Sequence, residues 1–168
     1  MNILLSGRPG VGKTTLIRKV AKMFDKKVGG FYTEEIRKAG QRVGFSIKTF
    51  DGKEGILAHI HTRSSHKVGK YRVNLEDFEK IGVRGLEEAI RESQIIVIDE
   101  IGRMELYSKK FKEVVIEALK GKNLVLATVS QHKNSFVGAV KKRPDVRIIE
   151  VTRKNRDKLV FELKDILE

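Results

Sequence analysis

The chain has 168 residues, of which 40% are hydrophobic and 34% charged, the composition of one folded domain with a single sizeable core and not of a disordered chain. No apolar run approaches the length of a bilayer span, the apolar start at residues 1–6 is too short for a signal h-region, and the absence of cysteine excludes disulfides and thiolate metal sites. The net charge of +13 admits a polyanionic partner, but many lysines stand among glutamates, so the favoured reading is a solvated surface of the Lys- and Glu-rich kind found in thermophile proteins.

Residues 2–6 (NILLS) suit a short buried strand, broken by the glycines that follow. Leu16, Ile17, Val20, Ala21 and Phe24 recur at helical spacing, which predicts a helix of about three turns from Lys13. The segments GGFYTEEIR (29–37), RVGFSIKTF (42–50) and GILAHIH (55–61) are strand-like. Lys38-Ala39-Gly40 and Asp51-Gly52 separate them, and an Asp-Gly pair between such runs signals a hairpin. Asn74 can cap a helix whose Leu75, Phe78 and Ile81 share a face; a break at Gly82–Gly85 then precedes a second helix bearing Leu86, Ala89 and Ile90.

The run Gln94–Ile98 is apolar on both faces, as the middle of a parallel sheet demands. Ser108 and Gly121 bracket a helical stripe of Phe111, Val114, Val115, Ala118 and Leu119. Leu124–Val129 and Arg147–Val151 read as further buried strands, and Leu159, Leu163, Ile166 and Leu167 as one face of a closing helix. No linker or repeat divides the chain. Residues 1–168 are therefore expected to form one α/β domain, a parallel sheet between helices with an antiparallel β-meander inserted after the first helix.

The most specific feature is Gly7-Arg8-Pro9-Gly10-Val11-Gly12-Lys13-Thr14, with Thr15 next, which matches G-x-x-x-x-G-K-[ST] between a strand and a helix. Glycines let the backbone turn tightly so that its N–H groups point at phosphate oxygens, and the helix adds its free N-terminal amides. Lys13 can reach the β- and γ-phosphates, and the Thr14 hydroxyl can ligate magnesium.

Asp99-Glu100 ends the second buried run, at the carboxyl edge where parallel sheets bind ligands. Asp99 is placed to hold magnesium through a water, and Glu100 to orient or deprotonate an attacking water. P-loop proteins with a base in that position usually set one strand between the two site strands. Leu124–Val129 is the candidate, and Thr128 or Ser130 at its end could sense a γ-phosphate or simply hydrogen-bond at the strand end.

Four weaker constellations remain. Arg103 could act as an internal arginine finger or instead pair with Glu100 or Glu105. Asn155, in Thr152-Arg153-Lys154-Asn155-Arg156, could contact base and ribose or cap the last helix. His59, His61 and His66 lack a carboxylate or thiol spaced to complete a metal site. Lys67, Lys70, Tyr71 and Arg72 could hold a nucleic-acid strand, but such clusters are more often a solvated loop.

The chain resembles the cancer-related nucleoside-triphosphatase family of small P-loop proteins. The resemblance rests on GRPGVGKTTL (7–16), GGFYTEEIR (29–37), GKYRVNLEDFEKIG (69–82), IIVIDEIGRMEL (95–106) and VTRKNRDKL (151–159). It implies a RecA-like fold and magnesium-dependent release of phosphate from ATP, GTP and other nucleoside triphosphates, leaving the diphosphate. Gly7–Thr14 would bind phosphate, and Asp99 and Glu100 serve magnesium and water. Arg103 stands where relatives more often have lysine, with the positive charge kept.

Two other functions compete. A small-molecule or nucleotide kinase has a similar loop and size, but no Arg-rich lid is evident. A nucleotide-gated RNA- or DNA-binding module draws on the net charge and the 67–72 cluster. A cytoplasmic, membrane-free monomer handling nucleoside triphosphates with magnesium, with nucleic acid not favoured as a partner, is the expectation.

Overall fold

The computed structural model describes residues 1–168. Nine strands form a single sheet: β1 (Asn2–Ser6), β2 (Val28–Lys38), β3 (Gln41–Thr49), β4 (Glu54–His59), β5 (Lys67–Val68), β6 (Tyr71–Val73), β7 (Ile95–Ile101), β8 (Leu124–Val129) and β9 (Val146–Glu150). Their order is β5-β6-β4-β3-β2-β7-β8-β1-β9. The half from β2 to β9 is parallel and the half from β2 to β5 antiparallel. The expected meander is therefore no separate layer. It continues the parallel sheet edge to edge, because β2 pairs with β7 through Val28–Phe31 and with β3 through Phe31–Lys38.

The turns follow from their residues. Ala39 and Gly40 join β2 to β3 with φ of 51° and 77°, the two left-handed positions a tight hairpin uses. Gly52 takes φ 92° in the turn to β4.

Helices cover both faces. On one, α1 (Lys13–Lys22) and α6 (Arg156–Leu167) bury Leu16, Ile17, Val20, Leu159 and Leu163 against Ile3, Leu5, Ile95, Val97 and Leu126. On the other, α3 (Arg84–Glu92), α4 (Lys109–Lys120) and α5 (Ser135–Lys141) pack Leu86, Phe111, Val115 and Val137 on Leu4, Ile96, Ile98 and Ala127. Alternate residues of β7 thus feed opposite cores, which is why its sequence is apolar throughout. Each buried Val, Leu, Ile or Phe among them contributes about 1.5–3 kcal/mol.

Two expectations need correcting. The chain does not break at Gly82–Gly85. Here α2 (Leu75–Asp77), capped by Asn74, runs through a π-helical turn at Phe78–Val83 straight into α3. These glycines serve packing: a Cβ at Gly82 would run into Ile47, and one at Gly85 would lie 2.9 Å from Thr49 Cγ2. Nor is β9 buried. It is the outer strand beside β1, with Arg147, Ile148 and Glu150 exposed.

Candidate active site

Chain punctuation builds the loop after β1. Gly10 and Gly12 take φ of 78° and 104°, which other residues adopt only with strain. A Cβ at Gly7 would sit 2.7 Å from the Val151 carbonyl oxygen. Gly12 is the N-cap of α1, so the first-turn amides of Lys13 and Thr14 face outward from the helix start. Lys13 Nζ lies across the loop, donating to the carbonyl oxygens of Gly7 at 2.6 Å and Arg8 at 3.4 Å.

The sheet order brings the second half of the site alongside. β8 lies between β1 and β7, as the carboxylate pair predicted. Register sets Leu5 beside Thr128 and Phe31 beside Ile98, so the carboxyl ends of β1, β8 and β7 meet at one edge beside the middle of β2. Asp99 is 2% exposed. Thr128 Oγ1 donates to its Oδ1 at 2.7 Å, and the Thr33 amide to its Oδ2 at 3.5 Å. Burial raises the Asp99 pKa above the ordinary carboxylate value, while the hydroxyls of Thr128 and Thr14 and the charge of Lys13 pull it back. Burial and the neighbouring Asp99 also raise Glu100, against Lys13.

A cavity of about 830 Å³ joins these groups. Gly12, Lys13, Thr14, Thr15, Asp99 and Glu100 line it on the loop side, and β2, β3 and the β5–β6 turn wall the other. A second cleft of about 570 Å³ flanks the loop, between Arg8, Pro9, Gly10 and Val11 and the segment Glu150–Arg153. Hard oxygen donors, the Thr14 hydroxyl and the Asp99 carboxylate, are the kind magnesium takes when phosphate oxygens and waters complete its shell.

A family model described as NTPase matches residues 2–164. The chain belongs to this NTPase family. It is similar to the nucleoside-triphosphatase THEP1 of Thermotoga sp. strain RQ2, 51% identical over 168 residues that cover 100% of this chain and 96% of that one. The nucleoside-triphosphatase THEP1 of Methanocaldococcus jannaschii is 44% identical, over 97% of this chain and 95% of its own. The crystal structure of THEP1 from the hyperthermophile Aquifex aeolicus superposes with a TM-score of 0.93 at 38% identity, covering 100% and 99% of the two chains. A solution structure of a human cancer-related nucleoside triphosphatase gives a TM-score of 0.85 at 35% identity, covering 99% of this chain and 97% of its own. The resemblance read from the motifs and the P-loop fold expected from it are both borne out.

In this NTPase Arg103 is exposed and lines the larger cavity. Ion pairs engage Arg18, Arg37, Arg42, Arg84 and Arg143 instead, so the pairing of Arg103 with Glu100 or Glu105 is not formed. Asn155 lines neither cavity. Its side chain accepts from the Thr152 amide at 2.7 Å and donates to the Glu150 carbonyl at 2.8 Å. It occupies the N-cap of α6 without a side-chain cap bond, so it staples the loop after β9 and does not cap the helix. The rings of His59 and His61 lie 5.5 Å apart, and no third ligand gathers with them. Tyr71 is buried in a short hairpin with β5, not displayed on a solvated loop.

Two residues of the NTPase site, Thr33 and Arg156, had no role in the sequence reading, and a third, Glu105, stood there only as a partner for Arg103. Glu105 is 4% exposed yet lines the larger cavity, and burial together with Glu100 raises it well above the ordinary carboxylate value. Thr33 supplies the amide at Asp99. Arg156 Nη1 donates to the Val11 carbonyl at 3.1 Å, bracing the phosphate loop from α6. Only Glu105 carried a signal, as an acidic residue in the short apolar stretch after Glu100.

Proposed function

We propose that the chain hydrolyses nucleoside 5′-triphosphates of several bases, with magnesium, to the diphosphate and phosphate. The observation that carries this reading is the meeting of Lys13, Thr14, Asp99 and Glu100 in one cavity, with β8 alone between their two strands. The loop amides of Gly7–Thr14 and the Lys13 ammonium bind the phosphates, and Thr15 adds its hydroxyl at the helix start. The flanking cleft against Thr152 and Arg153 receives base and ribose; with few side chains fitted to a particular base, several are accepted. Thr14 and Asp99 would hold magnesium, which supplies neutralisation of charge on the β- and γ-oxygens.

Glu100, with its basicity raised by burial and by Asp99, orients a water and takes its proton as the γ-phosphorus is attacked. Arg103, unpaired at the cavity wall, serves as the internal arginine that meets charge developing on the γ-phosphate. The loop staple of Asn155 acts on the nucleoside cleft indirectly. No helix is long and apolar enough to cross a membrane, and the setting we propose is a cytoplasmic monomer.

Phosphate release from ATP, GTP, CTP and UTP, with magnesium or with chelator, tests this. We expect turnover with each nucleotide, abolished by chelator and changed by added RNA less than about tenfold, since the basic residues are dispersed among acids. No release with magnesium would overturn the proposal. Release only with RNA, lost at high salt, would replace it by a nucleic-acid-gated switch.

A further inference from the structure

The cavity that holds Lys13, Asp99 and Glu100 does not end at them. Its volume of about 830 Å³ falls among pockets of roughly 300–1,000 Å³ that enclose a whole small molecule. A terminal phosphate with a few waters, at about 30 Å³ per water, fills a small part of that. The cleft assigned above to the nucleoside is a separate one flanking the loop. The space left over is walled by the meander.

That wall has a definite chemistry. Phe45, Leu57 and Val68 give it an apolar floor. The Arg42 guanidinium lies 5.1 Å over the Phe45 ring. Its Nε donates to the Tyr71 hydroxyl at 2.9 Å and its Nη1 to Glu35 at 3.3 Å. The side chains of Arg42 and Glu35 nevertheless stay 44% and 42% exposed, so a donor and an acceptor stand side by side above the floor. On the meander side every one of these charges is already paired, Glu35 with Arg42 and Arg37, and Glu34 with Arg18 at 2.7 Å and Lys48 at 2.9 Å. An ionic occupant would have to break a pair; a neutral one need not.

Resting on the phosphate-loop reading above, we propose that this wall binds a neutral hydroxylated small molecule with one flat apolar face, whose hydroxyl accepts the γ-phosphoryl group in place of water. The bond between the β,γ-bridging oxygen and the γ-phosphorus breaks, its electron pair leaving with the nucleoside diphosphate. The acceptor oxygen bonds the γ-phosphorus, and the hydroxyl proton passes to Glu100 and then to solvent. Nucleosides and cyclic polyols share this chemistry.

The full chain is incubated with ATP and magnesium, alone and with each member of a panel of nucleosides and cyclic polyols, and the products are followed by phosphorus NMR. A phosphate ester forming as inorganic phosphate falls is expected in one of the two arms, which names the source. In the presence of that acceptor, Arg42→Met should lower ester formation by about tenfold, the effect of losing a hydrogen bond from a charged group, with acceptor-free phosphate release unchanged. Phosphate release with no ester from any panel member would overturn the acceptor site and leave hydrolysis standing. Stimulated release without ester would make the site an activator site and overturn its acceptor role. No release in the acceptor-free control and no ester would remove the hydrolysis reading and this one together, whereas ester without release would remove hydrolysis alone.

Discussion

Thr128 Oγ1 donates a hydrogen bond of 2.7 Å to Asp99 Oδ1, and neither side chain reaches solvent to any useful extent. The strand between the two site strands thus holds the carboxylate by a hydroxyl that water cannot replace. Thr128→Val keeps the shape and removes the donor, leaving a buried acceptor unmatched at a cost of about 1–3 kcal/mol. Partners that orient a metal ligand typically carry about 10–100-fold in metal affinity or activity, and we expect a loss of that size in magnesium-dependent turnover. Thr128→Ser should stay close to wild type. Denaturant titration and magnesium titration read the two effects, and a fully active Thr128→Val would deny the hydroxyl any part.

Lys13→Ala should leave the fold intact, because the ammonium contacts only loop carbonyls and no core residue. Phosphate release should drop by about 10²–10³, the usual loss when one donor to developing charge is removed. Turnover within a few-fold of wild type, in a variant with an unchanged melting temperature, would show that the loop binds something other than triphosphate.

Glu100→Gln removes the basic oxygen while keeping size and hydrogen bonding. Turnover should fall by about 10²–10⁴, the contribution of a positioned general base, with affinity for a non-hydrolysable analogue kept within several-fold. Asp99→Asn should instead weaken magnesium dependence along with rate. Single-turnover kinetics beside analogue binding separates the two, and normal hydrolysis by Glu100→Gln would move the proton acceptor elsewhere, with Glu105 the next candidate.

Glu105 makes a prediction about pH. Burial and the charge of Glu100 raise its pKa well above 4.5, so the folded chain holds this proton more tightly than the unfolded one. Its favourable contribution is complete below 4.5 and is lost as pH rises from there through the raised value. Glu105→Gln carries no such loss. It should be more stable than wild type at mildly alkaline pH, with the difference shrinking to nothing as pH falls toward 4.5. Turnover should stay within several-fold. Equal stability of the two proteins across that range would place the carboxyl in contact with water.

The parts of the site legible in the sequence are those contiguous in it. Gly7–Thr14 and Asp99-Glu100 each carry their chemistry in a short run, and an apolar β7 forces the buried parallel sheet that sets both at one edge. Thr33 and Arg156 were illegible because each acts through an atom far along the chain; Arg156 and Val11 are 145 residues apart. Gly82 and Gly85 misled because glycine reads locally as a breaker, whereas here it admits β3 against a continuous helix. The exposure of β9 depends on having no neighbour beyond it, which Ile148 and Ile149 do not reveal. The short helix α5 lacked a periodic stripe long enough to stand out.

The eleven residues of β2 belong to both halves of the sheet. Phe31 sits at the handover, paired with Ile98 on one side and Thr49 on the other, and its ring meets those of Phe78 and Phe111 in the main core. Two residues on, the same strand lends its amide to Asp99. The inserted hairpins are consequently not a cassette that could be cut out or grafted elsewhere. Excising them takes away the central strand and a share of the catalytic edge, so the insert and its host must melt in one transition.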